Sequence, residues 1–126
     1  MADVNAIRPR GSSRAGRLSR SAEFQRVYRQ GRSHANRHLV LYAFQSPSAE
    51  GARLGLSVSR KVGGAVERNG VKRLLREAFS VEGERLPVGS DAVVIARAGA
   101  HELAERDGLS GVQSALRELI EKAVGA

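Results

Sequence analysis

The stretch from Arg60 to Phe79, RKVGGAVERNGVKRLLREAF, constrains the fold more than any other part of the chain. A basic pair and two glycines precede a segment whose apolar residues recur every three or four positions, the period of an α-helix. The apolar side of this helix consists of Val71, Leu74, Leu75, Ala78 and Phe79. Because a helix with one apolar side is stabilised by burying it, this segment predicts a helix docked on a core.

A second side of the same helix is densely cationic. It covers an arc of about 140°, at about 100° per residue, and consists of Arg68, Asn69, Lys72, Arg73 and Arg76. Arg60 and Lys61 continue the charge ahead of the helix, and Glu77 is the only acid in the turns that carry it. Because like charges repel, a counter-charge would stabilise such a cluster. This side is either an ordinary solvated face or, as we predict, a binding surface for a polyanion.

The charge of the whole chain favours the same class of partner. Lys and Arg total 21 against 13 Asp and Glu, which gives a formal net charge of +8. This excess attracts phosphates, so we expect a nucleic acid, although a merely soluble basic protein can have the same composition. The 126 residues suit one domain with a modest core. We predict that domain over residues 18–126, after a flexible basic arm at residues 1–17.

Residue types and spacing disfavour a catalytic or metal site in this chain. There is no cysteine, which excludes disulfides, thiolate metal sites and a thiol nucleophile. The carboxylates are scattered among cations that suit ion pairs, and the histidines are not at ligand spacing: these residues are Glu67, Glu77, Asp91, Glu102, Glu105, His34, His38 and His101. We therefore predict no catalytic residue, no metal ligand and no bound cofactor. Gly63 and Gly64 either aim backbone N–H groups at a phosphate or form an ordinary turn.

The chain also lacks the features of a membrane or secreted protein. No apolar run approaches the ~18 residues of a membrane span, and the first residues have no apolar signal core. Neither a nucleophile elbow nor a phosphate-cradling loop with its lysine is present. We expect a cytoplasmic protein with no membrane partner and no small-molecule substrate.

Upstream of the basic helix, Ser21 and Gly31 are typical start and stop signals for a short helix. This helix carries Phe24, Val27 and Tyr28 on one side. Such a stripe is most often part of a core. Aromatic rings next to cations also suit the stacking of single-stranded nucleic acid, so both interpretations stay open.

Two segments between these helices have the pattern of strands. Arg37 to Gln45 alternates, with apolar residues on both faces, which indicates partial cover on both sides. Arg53 to Arg60 has one smooth face made of small residues, Gly55, Ser57 and Ser59. A smooth face lets a helix approach closely or leaves the backbone open to a ligand. The short connection between the two segments predicts an antiparallel hairpin.

The C-terminal third adds a strand and a helix. Asp91 to Arg97, DAVVIAR, is a continuous apolar run and predicts a buried interior strand. Residues 98–106 have no clear pattern, and a helix is predicted from Asp107 or Ser110 to Val124. The resulting order of helix, two or three strands, helix, strand and helix predicts a small α+β or α/β layer.

Taken together, these segments resemble a known family. The run GLSVSRKVGGAVERNGVKRLLREAF resembles the signature of the bacterial ribonuclease P protein, in which a GLSVS-type strand leads through a basic pair into a helix with Arg-Asn-x-x-Lys-Arg-x-x-Arg. The resemblance extends from about Leu18 to Ala123. It departs at Gly70, where the usual Arg-Asn-Arg pattern has a third arginine, and this affects one RNA contact rather than the assignment.

The resemblance implies a fold and an activity. The fold is an α+β (α/β two-layer) sandwich of the ribosomal protein S5 domain 2 type, in the order α-β-β-β-α-β-α. Its βαβ crossover is left-handed, against the usual rule. By the same resemblance, the protein is expected to be a subunit of the ribonuclease P endoribonuclease that binds the catalytic RNA and precursor tRNA and promotes removal of the 5′ leader. The RNA, with its Mg²⁺, holds the catalytic centre.

The resemblance also implies which residues bind RNA. Those expected to contact the catalytic RNA are Arg60, Lys61, Arg68, Asn69, Lys72, Arg73 and Arg76. Those expected to line a cleft for the leader are Phe24, Tyr28, Val40 and Tyr42. The alternative is a ribosomal or RNA-chaperone module on the same small fold, without a role in leader cleavage.

Overall fold

The structure, a computed structural model, describes residues 3–7, 21–45, 53–87 and 89–125. Its elements are β1 (Asp3–Ile7), α1 (Ser21–Gln30), β2 (Arg32–Ala35), β3 (Leu39–Gln45), β4 (Arg53–Val58), α2 (Ala65–Glu82), β5 (Ser90–Ala96) and α3 (Ala100–Gly125), with a 3₁₀ turn at Gly83–Arg85 after α2. From α1 onwards the order is α-β-β-β-α-β-α. The α+β class and this order are confirmed.

The strands form one mixed sheet in the order β1-β4-β5-β3-β2. β4 and β5 are parallel and are joined through α2, whereas the other neighbouring strands are antiparallel. The predicted hairpin of β3 with β4 is wrong, because β5 lies between them. The physical reason is that β5 is apolar on both faces and buried along most of its length. A central position gives it a hydrogen-bonded neighbour on each side and cover on both faces.

The main core lies between one face of the sheet and helices α2 and α3. The sheet contributes buried leucines and valines, and α2 contributes the apolar side predicted for it, with Leu74 only partly buried. Two layers therefore form the main sandwich. Helix α1 lies against the opposite face of the sheet, where Phe24, Val27 and Val93 form a second, smaller cluster. The face of β3 predicted to be partly covered thus has its cover from α1.

Residues 3–7 differ from the prediction for the N-terminus. They form β1, which pairs antiparallel with β4 from Asp3 opposite Val58 to Ile7 opposite Leu54. The structure thus describes a strand within the segment predicted as an arm, and the flexibility of the arm stays a prediction. The pairing depends on backbone hydrogen bonds to an open sheet edge, which composition does not report. The remainder of the predicted arm lies outside the described residues, and the domain limits and the hand of the crossover stay predictions.

Helix α3 begins earlier than its pattern indicated. It starts at Ala100 and is interrupted at Gly108, where the backbone has φ 60° and ψ −147°. This conformation is essentially open to glycine alone. Because the break changes the direction of the helix, residues on either side do not share one apolar stripe. That is why residues 98–106 showed no helical pattern continuous with the segment after Asp107.

The carboxylate of Glu82 joins the end of α2 to α3. Glu82 is 1% exposed. It accepts hydrogen bonds from Arg85 Nε at 2.9 Å, Gln113 Nε2 at 2.8 Å, Arg117 Nε at 3.2 Å and Arg117 Nη2 at 3.0 Å. The hydrogen bond from Arg117 is the main cause that lowers the pKa of Glu82 to about 2, against an opposing effect of burial. Glu82 therefore stays ionised and holds the two helices together.

Asp91 is a second buried acid, and here the prediction of an ion pair is confirmed. Its two carboxylate oxygens accept hydrogen bonds from Nε and Nη2 of Arg53 at 2.8 and 2.7 Å. This bidentate pair links the start of β4 to the start of β5 at their first registered position. It stabilises the parallel pairing on which the position of α2 depends.

Candidate nucleic-acid interface

A tight turn presents the basic pair that precedes α2. The N–H of Val62 donates to the carbonyl of Ser59 at 3.1 Å, and the N–H of Gly63 donates to that of Arg60 at 3.2 Å. Val62 is buried and anchors the turn in the core, whereas Arg60 and Lys61 are exposed. The turn therefore points both cations into solvent at the start of α2.

The two glycines at the start of α2 make room for an acid. A Cβ at Gly63 would lie 2.8 Å from the Cβ of Glu67, and one at Gly64 would lie 2.9 Å from Glu67 Oε1. The Glu67 carboxylate thus covers the N-terminus of the helix, where a negative charge is stabilised by the helix dipole. Of the two interpretations left open, this favours a close turn, since the carboxylate would repel a phosphate.

The cationic side of α2 is not uniformly exposed. Asn69 and Arg73 are exposed, and Arg68 and Arg76 are half-buried. Lys72 is only 4% exposed. Burial lowers the pKa of Lys72, and the nearby charge of Arg76 lowers it further. Arg73 and Arg76 are therefore better placed than Lys72 to meet a phosphate, and the contact predicted for Lys72 stays a prediction that its burial disfavours.

The structure adds two arginines that were not predicted as site residues. In the register of the sheet, Val58 lies opposite Ala96, which lies opposite Leu39. The next residue of β5, Arg97, donates from its N–H to the carbonyl of His38 at 2.9 Å. Arg37 precedes β3 and Arg60 follows β4, so both lie at the same end of the sheet as Arg97. All three arginines are exposed. Only the strand order brings these distant positions together, so local sequence patterns could not predict them.

On the other face of the sheet, side chains of α1 pack against those of strands β3 and β5. Tyr28, Tyr42, Phe44 and Ile95 are partly buried around the second cluster. The rings of Tyr28 and Tyr42 meet edge to face, with centroids 5.0 Å apart and planes at 78°. Burial raises the pKa of the Tyr28 hydroxyl, and the nearby Tyr42 raises it further. Both rings are therefore packed on one side and accessible on the other. We call the partly exposed surface formed by Tyr28, Val40 and Tyr42 the aromatic cleft, after the leader cleft that the resemblance implies.

Phe24 lies below the aromatic cleft rather than in its open part. Its side chain is 6% exposed. A Cβ on Gly55 would lie 2.4 Å from Phe24 Cζ, so the ring rests directly on the smooth face of β4. This contact answers two questions that the sequence left open. Phe24 belongs to the core and does not form a stacking surface, and the smooth face of β4 lets helix α1 approach closely. Tyr28, Val40 and Tyr42 keep partial exposure, and the predicted contact of Phe24 with the leader is disfavoured by burial.

Because Phe24 packs directly on Gly55, even a methyl group at position 55 would clash with the ring. Gly55→Ala would force the ring of Phe24, and with it α1, away from the sheet. We expect a loss of about 1–3 kcal/mol in the free energy of unfolding, the usual range for overpacking. Chemical denaturation measures it. Gly125→Ala, at a glycine with open space around it, is the matched control, and an equal effect of both substitutions would contradict the close packing.

Comparison with known proteins decides the family. The sequence matches the model of the Ribonuclease P family over residues 13–123. This chain belongs to the ribonuclease P protein family. A Ribonuclease P protein component of Bacillus pumilus is 44% identical over 102 residues, covering 81% of this chain and 86% of the relative. That of Brevibacillus brevis is 39% identical over 110 residues, covering 87% and 84%.

Solved ribonuclease P proteins have the same fold. The structure of the Staphylococcus aureus RNase P protein matches with a TM-score of 0.75 at 37% identity, over 86% of this chain and 94% of the other. That of the Thermotoga maritima protein matches with a TM-score of 0.72 at 31% identity, over 87% and 96%. Family and fold therefore agree across nearly the whole domain.

Against the ribonuclease P pattern, Gly70 is the departure on α2. A Cβ at this position would meet no heavy atom of the described residues within 4 Å. Packing at the Cβ position therefore does not exclude the arginine that the resemblance led us to expect here. Gly70 is not required by packing or by an unusual backbone angle, since it lies within the regular helix.

The described residues contain no group of three or more His, Cys, Asp or Glu side chains that could hold a metal ion. The predicted absence of catalytic and metal-binding residues stays a prediction. Within the same ranges, no helix is long and apolar enough to cross a membrane. The cytoplasmic location also stays a prediction.

Proposed function

We propose that this chain is the protein subunit of a ribonuclease P ribonucleoprotein. It binds the catalytic RNA through the cationic side of α2 and holds the 5′ leader of precursor tRNA in the aromatic cleft. The observation that carries the proposal is the presence of both surfaces on one ribonuclease P fold: exposed cations on α2, and partly exposed tyrosines between α1 and the sheet. Its relatives in Bacillus pumilus and Brevibacillus brevis, both protein components of ribonuclease P, support it.

The role of the cationic surface is to neutralise and position RNA. Arg73 and Arg76 can each grip a phosphate through two parallel hydrogen bonds, and Lys61 acts as a point charge. Where RNA strands crowd together, such cations reduce repulsion between phosphates, so less Mg²⁺ is needed to fold the RNA-based enzyme. The chain performs no bond cleavage in this proposal, because the catalytic centre and its Mg²⁺ belong to the RNA.

The role of the aromatic cleft is to distinguish substrate from product. An unpaired base that stacks on an aromatic ring contributes about 1–3 kcal/mol, with little dependence on its identity. The partly exposed rings of Tyr28 and Tyr42, with Val40 beside them on β3, provide such a surface. Only the precursor has a leader to place there. The precursor is therefore bound more tightly than mature tRNA, which favours release of the product.

The decisive experiment is leader cleavage of a precursor tRNA by ribonuclease P RNA at low Mg²⁺, with and without this protein. We expect strong stimulation by the protein, and no cleavage by the protein alone. Binding of RNA without any stimulation would overturn the proposal in favour of a ribosomal or RNA-chaperone module. Cleavage by the protein alone would indicate an autonomous nuclease.

The tyrosines test the cleft separately. Tyr28→Ala combined with Tyr42→Ala is expected to weaken binding of precursor tRNA to the holoenzyme by about tenfold, because one stacking contact is lost. Binding of mature tRNA should stay unchanged. The matched control is Tyr28→Phe with Tyr42→Phe, which keeps both rings and should bind the precursor normally. Equal weakening for precursor and mature tRNA would show that the rings serve only the core.

A further inference from the structure

An open depression lies on the outward side of α2. It has a volume of about 410 Å³, and the described residues that line it are Val66, Asn69, Gly70, Arg73 and Arg76. At 100° per residue, Val66, Gly70 and Arg73 lie on the side of the helix directed away from the buried apolar residues. The depression therefore faces the same partner as the cationic side, and its volume falls within the usual range for small ligand sites.

The lining of the depression includes an exposed apolar side chain beside its polar and cationic groups. Val66 is 81% exposed, more than any other large apolar side chain among the described residues. Gly70 follows it by one helical turn and leaves bare backbone, with no heavy atom of the described residues near the position of a Cβ. Scattered exposed valines are common on surfaces. Here, however, Val66 and Gly70 lie one helical turn apart and line the same depression as the cations.

The rim of the depression has the groups that a nucleotide needs. Asn69 has an amide that can donate to and accept from the edge of a base. The guanidinium groups of Arg73 and Arg76 can bind phosphates or stack on the plane of a base. A surface that binds phosphates alone gains nothing from an exposed apolar side chain, whereas an unstacked base in RNA presents a large apolar face together with a polar edge.

We propose that this depression binds one unstacked nucleobase of the RNA that lies against α2. The face of the base rests on Val66 and the backbone at Gly70, its edge meets the amide of Asn69, and the flanking phosphates meet Arg73 and Arg76. This inference rests on the proposed function only in that it takes the partner of α2 to be RNA. The arginine that the family pattern usually has at position 70 would fill the space, so this chain has a base site where a further phosphate contact is expected.

The test compares two oligonucleotides of equal charge. Tetra-adenylate and a tetramer of the same backbone without bases are titrated into isotope-labelled protein, and NMR shifts of the Val66 methyl groups and the Gly70 amide are followed. These signals report on the depression and not on the aromatic cleft. We expect tetra-adenylate to bind there about fivefold or more tightly than the tetramer without bases. Equal affinities, or no shifts at these two residues, would overturn the inference.

Substitutions at Gly70 and Val66 make the test specific. Gly70→Arg should raise affinity for both tetramers, because it adds a cation, and should reduce the base preference to below about twofold. Gly70→Ala should keep the preference, since a methyl group leaves the depression open. Val66→Ala should weaken the preference, whereas Val81→Ala, at a valine on the same helix that is 56% exposed, should not. A preference unaffected by both Gly70→Arg and Val66→Ala would contradict the proposal.

The two proposals fail separately. If the base preference is absent but the protein still stimulates leader cleavage at low Mg²⁺, only the base site is wrong. If the preference is present without any stimulation, the base site stands and ribonuclease P is the wrong partner.

Discussion

Arg73→Ala combined with Arg76→Ala is expected to weaken binding of the protein to ribonuclease P RNA by about 100-fold at physiological salt. Each charge-assisted hydrogen bond to a phosphate contributes about 1.5 kcal/mol or more, and two such contacts are lost. The dependence of affinity on salt should become shallower, by about 0.7–0.9 in the log–log slope for each phosphate released. Titration of labelled RNA by fluorescence anisotropy at several salt concentrations measures both effects.

The matched control removes the same charge from another helix. Arg106 and Lys122 lie on α3, and their side chains are 63% and 51% exposed. Arg106→Ala with Lys122→Ala also lowers the net charge by two, but it leaves α2 intact. We expect only a small loss of affinity from this control. A loss as large as that of the α2 pair would mean that the RNA responds to overall charge and not to a defined surface.

Glu82→Gln is expected to lower the free energy of unfolding by about 2 kcal/mol at pH 7. The fall in the pKa of Glu82 from 4.5 to about 2 corresponds to roughly 3 kcal/mol of stabilisation by the ionised carboxylate. The expected loss is smaller because Arg85 and Arg117 are half-exposed, with side-chain exposures of 51% and 43%, and can turn to water. Urea denaturation of both proteins at pH 7 gives the difference.

The pH dependence of this difference identifies the carboxylate as its source. Because the pKa of Glu82 is lowered on folding, its stabilisation is fully present above about pH 5 and is lost as the pH falls towards about 2. The gap between wild type and Glu82→Gln should therefore narrow over this range. Glu118→Gln removes an exposed acid paired with Lys122 and should change stability by less than about 1 kcal/mol. A gap that stays constant down to pH 2 would contradict the assignment.

Much of the fold could be predicted from local patterns. The period of apolar residues in α2, the continuous apolar run of β5 and the start and stop signals of α1 each describe a segment that has one stable way to bury its surface. The predictions failed where partners are distant in sequence. The connection between β3 and β4 is short, yet β5 lies between them in the sheet. The reason is that a central position for β5, the most apolar strand, stabilises the fold more than a hairpin of two strands that are neighbours in sequence.

The candidate site, too, could be predicted only in part from the sequence. The cationic side of α2 follows from helical spacing alone, and so does the shared face of Val40 and Tyr42 on β3. Spacing does not report how deeply each side chain is buried. The sequence pattern does not distinguish Phe24 from Tyr28. In the fold, Phe24 packs against Gly55 and is buried in the core, whereas Tyr28 stays partly exposed.

Residue type and local period were enough to predict a docked helix with a cationic side, an interior strand, and a positive charge that favours a polyanionic partner. Three other properties follow only from the folded chain: which cations are exposed, the position of Arg37 and Arg97 at the same end of the sheet as Arg60, and the link that Glu82 makes between α2 and α3. The physical reason is that exposure, strand order and buried hydrogen bonds depend on contacts between distant residues.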